Sequence, residues 1–186
     1  MNKLSLAFSL LLLGTLHLGA QAPIAAGAIK LGKPQPAVVT TPDYALKSGP
    51  IKRSLNGNWL EIEVEFETKA EEIDEITLDY TVMIEGKLFD GVVTHVSIPK
   101  GREHYSVMYI SPRSLEKITA GRPFTAGSIQ NVWVVAKKQG QILDTSAMKN
   151  VAIPNVAHVA GLLLNKMETP FAPLYSDRYE AIKTTK

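Results

Sequence analysis

The chain has 186 residues, 45% of them hydrophobic, a formal charge of +2 and no cysteine. Such a length and composition suit one domain with extensions and a substantial core. Disulfide stapling and thiol chemistry are excluded, and near-neutrality gives a nucleic-acid partner no electrostatic support.

The N-terminus begins Met1-Asn2-Lys3 and then runs apolar from Leu4 to Leu13, interrupted only by Ser5 and Ser9. Lys3 supplies the positive start, the leucines the hydrophobic stretch, and Gly19-Ala20-Gln21-Ala22 the small residues a signal peptidase needs. Cleavage is expected after Ala20, because a cut after Ala22 would place Pro23 next to the scissile bond. A spanning helix needs about 20 apolar residues, and Gly14, His17 and Gly19 break this run early. No cysteine follows it, so no lipid anchor is expected. The expected organisation is a signal peptide over 1–20, a proline-containing extended lead-in over 21–49, a β-sandwich core over 50–150 and a C-terminal tail over 151–186 docked on the core. An exported, disulfide-free chain with no membrane span after processing fits a bacterial envelope protein.

Short strands are expected at Ala37–Thr41 and Tyr44–Lys47, with a turn at Leu55-Asn56-Gly57-Asn58. The strongest pattern is Trp59–Thr68, where Leu60, Ile62, Val64 and Phe66 alternate with Glu61, Glu63, Glu65 and Glu67. Side chains on a strand alternate faces, so one face is apolar and the other acidic, as in a half-buried antiparallel strand. Glu75–Glu85 alternates likewise, Glu85-Gly86-Lys87 turns into a strand over Leu88–Ile98, and Pro99-Lys100-Gly101 turns again toward Tyr105, Val107 and Tyr109. Ser111 caps a short helix with Pro112 in its first position. Ile129–Lys137 and Gln141–Ser146 form a hairpin through Lys138-Gln139-Gly140. Strands joined by turns, with no long helix between them, predict an antiparallel all-β sandwich or barrel with one or two short helices. Val156–Leu164 reads equally as a short helix or a strand. A last helix is expected over Ser176–Ile182, and Phe171, Leu174, Tyr175 and Tyr179 are too apolar for a free tail.

Charge is segregated. Between Glu61 and Asp79 the only cation is Lys69, whereas Lys100, Arg102, Arg113, Lys117, Arg122, Lys137 and Lys138 come later. Mutual neutralisation on folding is the expected outcome.

Convergent chemical groups are scarce. The histidines after the signal peptide are His95, His104 and His158. His95 and His104 flank the expected turn at Pro99–Gly101 and would face each other across a hairpin as surface or groove residues. Zinc normally takes three or four protein ligands, so no metal is expected there. Along the glutamate row, neighbours on one face lie about 7 Å apart, and a straight strand cannot wrap calcium with the six to eight oxygens it takes. No G-x-S-x-G elbow, phosphate loop or dinucleotide fingerprint occurs. Asp90 near His95 is a chance-level spacing, and turn aspartates normally satisfy local backbone. No catalytic residue and no cofactor are expected. Trp59 and Trp133 suit sheet-face packing. With His95 and His104 they are the residues expected to touch a ligand or partner, if any do.

The stretch Trp59-Leu60-Glu61-Ile62-Glu63-Val64-Glu65-Phe66, the later Val132-Trp133-Val134-Val135-Ala136 and the ending Thr169-Pro170-Phe171-Ala172-Pro173-Leu174 resemble exported proteins of Verrucomicrobia. These include small immunoglobulin-like proteins associated with type IV pilus gene clusters. The resemblance implies an immunoglobulin-like sandwich and envelope or pilus proteins as partners, and it carries no site residues with it. Classical pilins keep a long N-terminal hydrophobic helix, whereas here that segment ends near Leu18 and prolines follow. The expected function is a non-enzymatic, pilus-associated structural or interaction component of the envelope. A carbohydrate-binding module or adhesin is the alternative.

Overall fold

A computed structural model describes residues 27–44 and 57–184. The expected signal peptide, the early lead-in, most of the expected strand at Tyr44–Lys47 and part of the turn at 55–58 lie outside them. The elements are β1 (Ile29–Leu31), β2 (Gln35–Thr40), β3 (Asn58–Ile84), β4 (Lys87–Ile110), α1 (Pro112–Ile118), β5 (Ile129–Lys138), β6 (Gln141–Ala147), β7 (His158–Ala160) and β8 (Leu163–Asn165).

The fold is all-β and mainly antiparallel. Its spine is the β3–β4 hairpin, whose strands of 27 and 24 residues are far longer than the separate strands the sequence suggests. Glu85 (φ 52°) and Gly86 (φ 73°) make its two-residue turn, the left-handed pair that matches the twist of flanking strands. Laid straight, 27 residues would span about 90 Å, roughly twice the width of a domain this size. The hairpin therefore bends. Register shifts fall between Phe66 and Thr68 and between Thr68 and Glu72. The Thr68 hydroxyl donates to Pro99 O (2.7 Å) and accepts from Gly101 N (3.1 Å), stitching the irregular ladder. The expected turn at Pro99–Gly101 is thus corrected to a bend within β4. Backbone groups there stay satisfied by a side chain, so the strand need not end.

The bend gives the sheet two halves. Beside the first half of β3 lie β1 and β2, with β8 beyond the second half of β4. Flanking the second half of β3 are β5 and then β6, with β7 parallel to the start of β4. The inward faces meet in one core, where Leu60, Ile62 and Val64 join Leu78, Val82, Val132 and Val134, all fully buried. The two layers of the sandwich are therefore one sheet folded on itself. At one side Leu31 N reaches Asp144 Oδ2 (2.7 Å), linking β1 to β6. At the other, Leu163 of β8 sits so close over Gly91 that a Cβ there would lie 2.4 Å from Leu163 Cβ.

Helix α1 buries Leu115 and Ile118 in the same core and is capped by Ser111, whose Oγ accepts from Ser114 N (3.3 Å). The ambiguous Val156–Leu164 stretch holds two short strands around Gly161 (φ 82°). The expected last helix over Ser176–Ile182 is absent. Successive tight turns run to Arg178, and the chain then lies extended along β4, with Val96 N donating to Ala181 O (3.0 Å) and Lys183 N to Thr94 O (2.8 Å). Pairing with a strand edge satisfies backbone groups that a short exposed helix would leave to water.

Candidate functional site

The first half of the sheet carries polar groups on both faces, and the tail connects them. On the outer face, Trp59, Glu61 and Glu63 of β3 stand beside Tyr105, Val107 and Tyr109 of β4. Phe171 of the tail stacks on Tyr109 (centroids 4.7 Å, 3° between planes) and meets Trp59 edge-on (5.6 Å, 89°). Leu174 and Tyr179 extend this cover, while Tyr175 remains 64% exposed in a left-handed conformation (φ 51°). Between β2, β3 and the tail an open groove of about 810 Å³ remains, lined by Val38, Val39, Glu61, Leu174, Tyr175 and Arg178 among others.

Its two glutamates live in different circumstances although they share a face. Glu63 accepts from Arg178 Nε (3.1 Å), Arg178 Nη2 (2.7 Å) and the Tyr179 hydroxyl (2.7 Å). Arg178 in turn lies 3.7 Å over the Tyr105 ring. Burial alone would raise the proton affinity of Glu63, but the guanidinium and phenol together hold its carboxyl below the usual range. Glu61 accepts one bond, from the Tyr109 hydroxyl to Oε2 (2.9 Å). Burial, reinforced by the neighbouring Glu63 charge, raises its carboxyl despite that bond. The acidic residues are therefore neutralised partly by the tail, through Arg178 on Glu63 and Lys183 on Glu75, and partly by Lys30 of β1 near Glu67 (3.8 Å).

Inward, where the two halves of the sheet meet, lies a polar seam, with Ser106 and His104 on one half and Tyr80 and His95 on the other. The Tyr80 hydroxyl donates to Ser106 Oγ (2.8 Å), and Ser106 Oγ lies 2.7 Å from His95 Nε2. His95 Nδ1 lies 3.2 Å from the Glu180 carbonyl. A carbonyl can only accept, so Nδ1 carries the proton and Nε2 accepts from Ser106. The direction of the whole chain is thereby fixed. Burial holds the His95 imidazole below its ordinary range. Next to it, His104 Nδ1 bonds the Glu180 carboxylate (2.6 Å), Phe66 stacks on the ring (5.3 Å), and Nε2 is buried without a partner. That nitrogen faces the backbone of Gly101, where a Cβ would lie 2.8 Å from it.

The four expected contact residues are all turned away from solvent: Trp59 is 8% exposed, Trp133 7%, His95 1% and His104 5%. Trp59 roofs the aromatic cluster and donates from Nε1 to Thr41 Oγ1 (3.0 Å). Trp133 lies on the other half of the sheet and donates to Val151 O (2.7 Å). The expectation of surface contacts at these positions is corrected, because each ring is covered by a later segment of the chain. Nor do His95 and His104 face each other across a hairpin; they pair with Ile76 and Phe66, and both are bonded by Glu180. Asp90 bonds His158 (2.7 Å) and Thr81 (2.8 Å), not His95. The Ser106–His95 pair has the spacing of a nucleophile and base, but it is closed to solvent and its third member is a backbone carbonyl.

The residues that shape the groove, namely Glu61, Tyr175 and Arg178, were not singled out from sequence as a site. The glutamate alternation was a visible signal for one side of it. Nothing in the sequence pairs Glu63 with Arg178, 115 positions later. Among the described residues, no group of three or more His, Cys, Asp or Glu could hold a metal ion, and no helix is long and apolar enough to cross a membrane.

No curated protein matches the chain. A crystal structure of a protein from Akkermansia muciniphila matches it with a TM-score of 0.72 at 23% identity, covering 85% of this chain and 94% of that one. At that identity the likeness establishes a shared fold. A protein-family model matches residues 20–186, nearly the whole length, and the chain belongs to the family that this model defines.

Proposed function

We propose that the protein is a non-enzymatic interaction component of the bacterial cell envelope, associated with type IV pili. The observation that carries this reading is the groove beside β2, where one partly unsatisfied carboxylate and an exposed aromatic ring adjoin an edge strand. Such a combination suits holding a partner better than transforming a substrate, which needs several convergent reactive groups. The expected signal peptide supports export, and the family match begins at residue 20, beside the expected cleavage point. The resemblance to pilus-associated proteins supports the finer assignment. A carbohydrate platform is less well supported, because both tryptophans are packed under other segments.

Fractionation of the source bacterium, followed by cross-linking and recovery of the protein, tests the reading. Recovery in the envelope with pilus components is expected. A cytosolic location, or recovery with no envelope protein, would overturn it.

A further inference from the structure

We propose that the groove between β2, β3 and the tail receives an extended segment of a partner protein, laid along β2, with a lysine or arginine side chain held against Glu61. The inference rests on reading the protein as an interaction component and specifies the chemistry of its partner.

Three observations converge on it. The first is the state of the polar groups. Arg178 is engaged by both Glu63 oxygens and by the Tyr105 ring, and the Tyr179 hydroxyl is taken by Glu63. Glu61 Oε2 accepts from Tyr109, while Oε1 has no partner among the described residues. A half-buried carboxylate with one open oxygen, walled by Val39 and Leu174, is satisfied best by a charged donor on an apolar stem, because the ion pair is stronger where water is scarce.

The second observation is the strand. Among the described residues β2 pairs with β3 alone, and Gln35, Ala37, Val38 and Thr40 are exposed along it. An unpaired strand edge is a ready template for an added strand, with main-chain bonds giving affinity and alternate side chains giving specificity. The same strand supplies Val38, Val39 and Thr40 to the groove wall, so a peptide added there would send side chains toward Glu61.

The third is Tyr175. A non-glycine residue in the left-handed region is strained, and here the strain displays a tyrosine at the groove rim instead of packing it. An aromatic face beside a carboxylate suits an alkylammonium or guanidinium. A volume of about 810 Å³ falls in the range of ligand clefts.

The test titrates the protein with a labelled, capped hexapeptide of alternating valine and threonine carrying one central lysine, and with the same peptide carrying glutamate. Fluorescence anisotropy reads affinity, and amide exchange at residues 37–40 reads strand addition. The lysine peptide is expected to bind at least roughly tenfold tighter than the glutamate peptide and to slow exchange at β2. Glu61→Gln should lower its affinity about tenfold and Tyr175→Ala several-fold, whereas Glu65→Gln, an exposed member of the same row, should leave it unchanged. Unaltered thermal melting of each variant excludes misfolding as the cause. Equal binding of the two peptides, or no loss in both Glu61→Gln and Tyr175→Ala, would overturn the proposal. Equally tight saturation by lysine amide alone would also overturn it, as would contacts of residues 45–56 with Leu174 or Tyr175 in the free protein. If envelope partners are still recovered with Glu61→Gln as efficiently as with the native chain, the groove assignment fails while the envelope reading stands.

Discussion

The inner and outer sides of the β3–β4 hairpin handle polar groups differently. Inward, Tyr80, Ser106 and His95 form a closed chain of bonds that ends on the Glu180 backbone. Outward, Glu61 keeps an open oxygen beside a groove although Glu63, two residues away, is saturated. A buried polar group without a partner is costly, so the inner chain serves the uniqueness of the fold. Partial satisfaction at a half-exposed position costs little and leaves capacity for an external group. The same tail supplies partners to both faces, through Arg178 and Tyr179 outside and Glu180 inside.

If the inner face is the structural one, the largest loss should come from Phe66, which is 1% exposed and lies against both histidine rings. Phe66→Ala should cost about 3–5 kcal/mol in chemical denaturation. Ser106→Ala would strand the Tyr80 hydroxyl and His95 Nε2 together and should cost roughly 1–3 kcal/mol. A loss below a few tenths would mean the seam is not closed as described.

Acid should separate the faces further. His95 has a depressed affinity for protons in the folded state, so the unfolded chain binds a proton first. Its contribution is complete above the ordinary imidazole range, near pH 6.5, and is lost as pH falls from there toward the folded value. Stability should fall with a slope of at most about 1.4 kcal/mol per pH unit from this group. Replacing His95 by glutamine should flatten that limb of the pH–stability curve.

The outer glutamates give the smallest and most discriminating pair. Glu63→Gln removes the anion under Arg178 and should cost about 1 kcal/mol, modest because the pair is partly solvated. Glu61→Gln should change stability by less than about 0.5 kcal/mol, since the fold already disfavours its charge, while binding at the groove suffers. Equal losses at the two positions in urea titrations would erase the distinction between them.

Much of the fold was legible because β-strands write their faces in the sequence with period two. Leu60 to Phe66 and Ile76 to Ile84 face inward as alternation predicts, and Trp133 lies opposite Val132, Val134 and Ala136. The bend was not legible. At it, the inward parity slips. Ile73 and Ile76 are both fully buried, as are His95 and Ile98 on the partner strand, three positions apart rather than two. Ser97, in the left-handed region (φ 54°), sits at that slip. His95 at an odd position and His104 at an even one therefore face the same interior, which no single alternation could reveal. The groove was legible only in its floor, because its roof comes from turns whose placement depends on contacts made across the whole domain.

Glu63 and Arg178 are separated by 115 positions, which gives their contact a temporal side. Everything the tail binds is synthesised before the tail itself. Until residues 171–183 arrive, the glutamate row stands uncovered on a half-built sheet, and like charges there discourage two immature chains from joining edge to edge. A chain cut short before Phe171 would lack the counter-ion of Glu63, both links to Glu180 and the rim of the groove at once. The groove thus forms only once the strap over the glutamate row is in place.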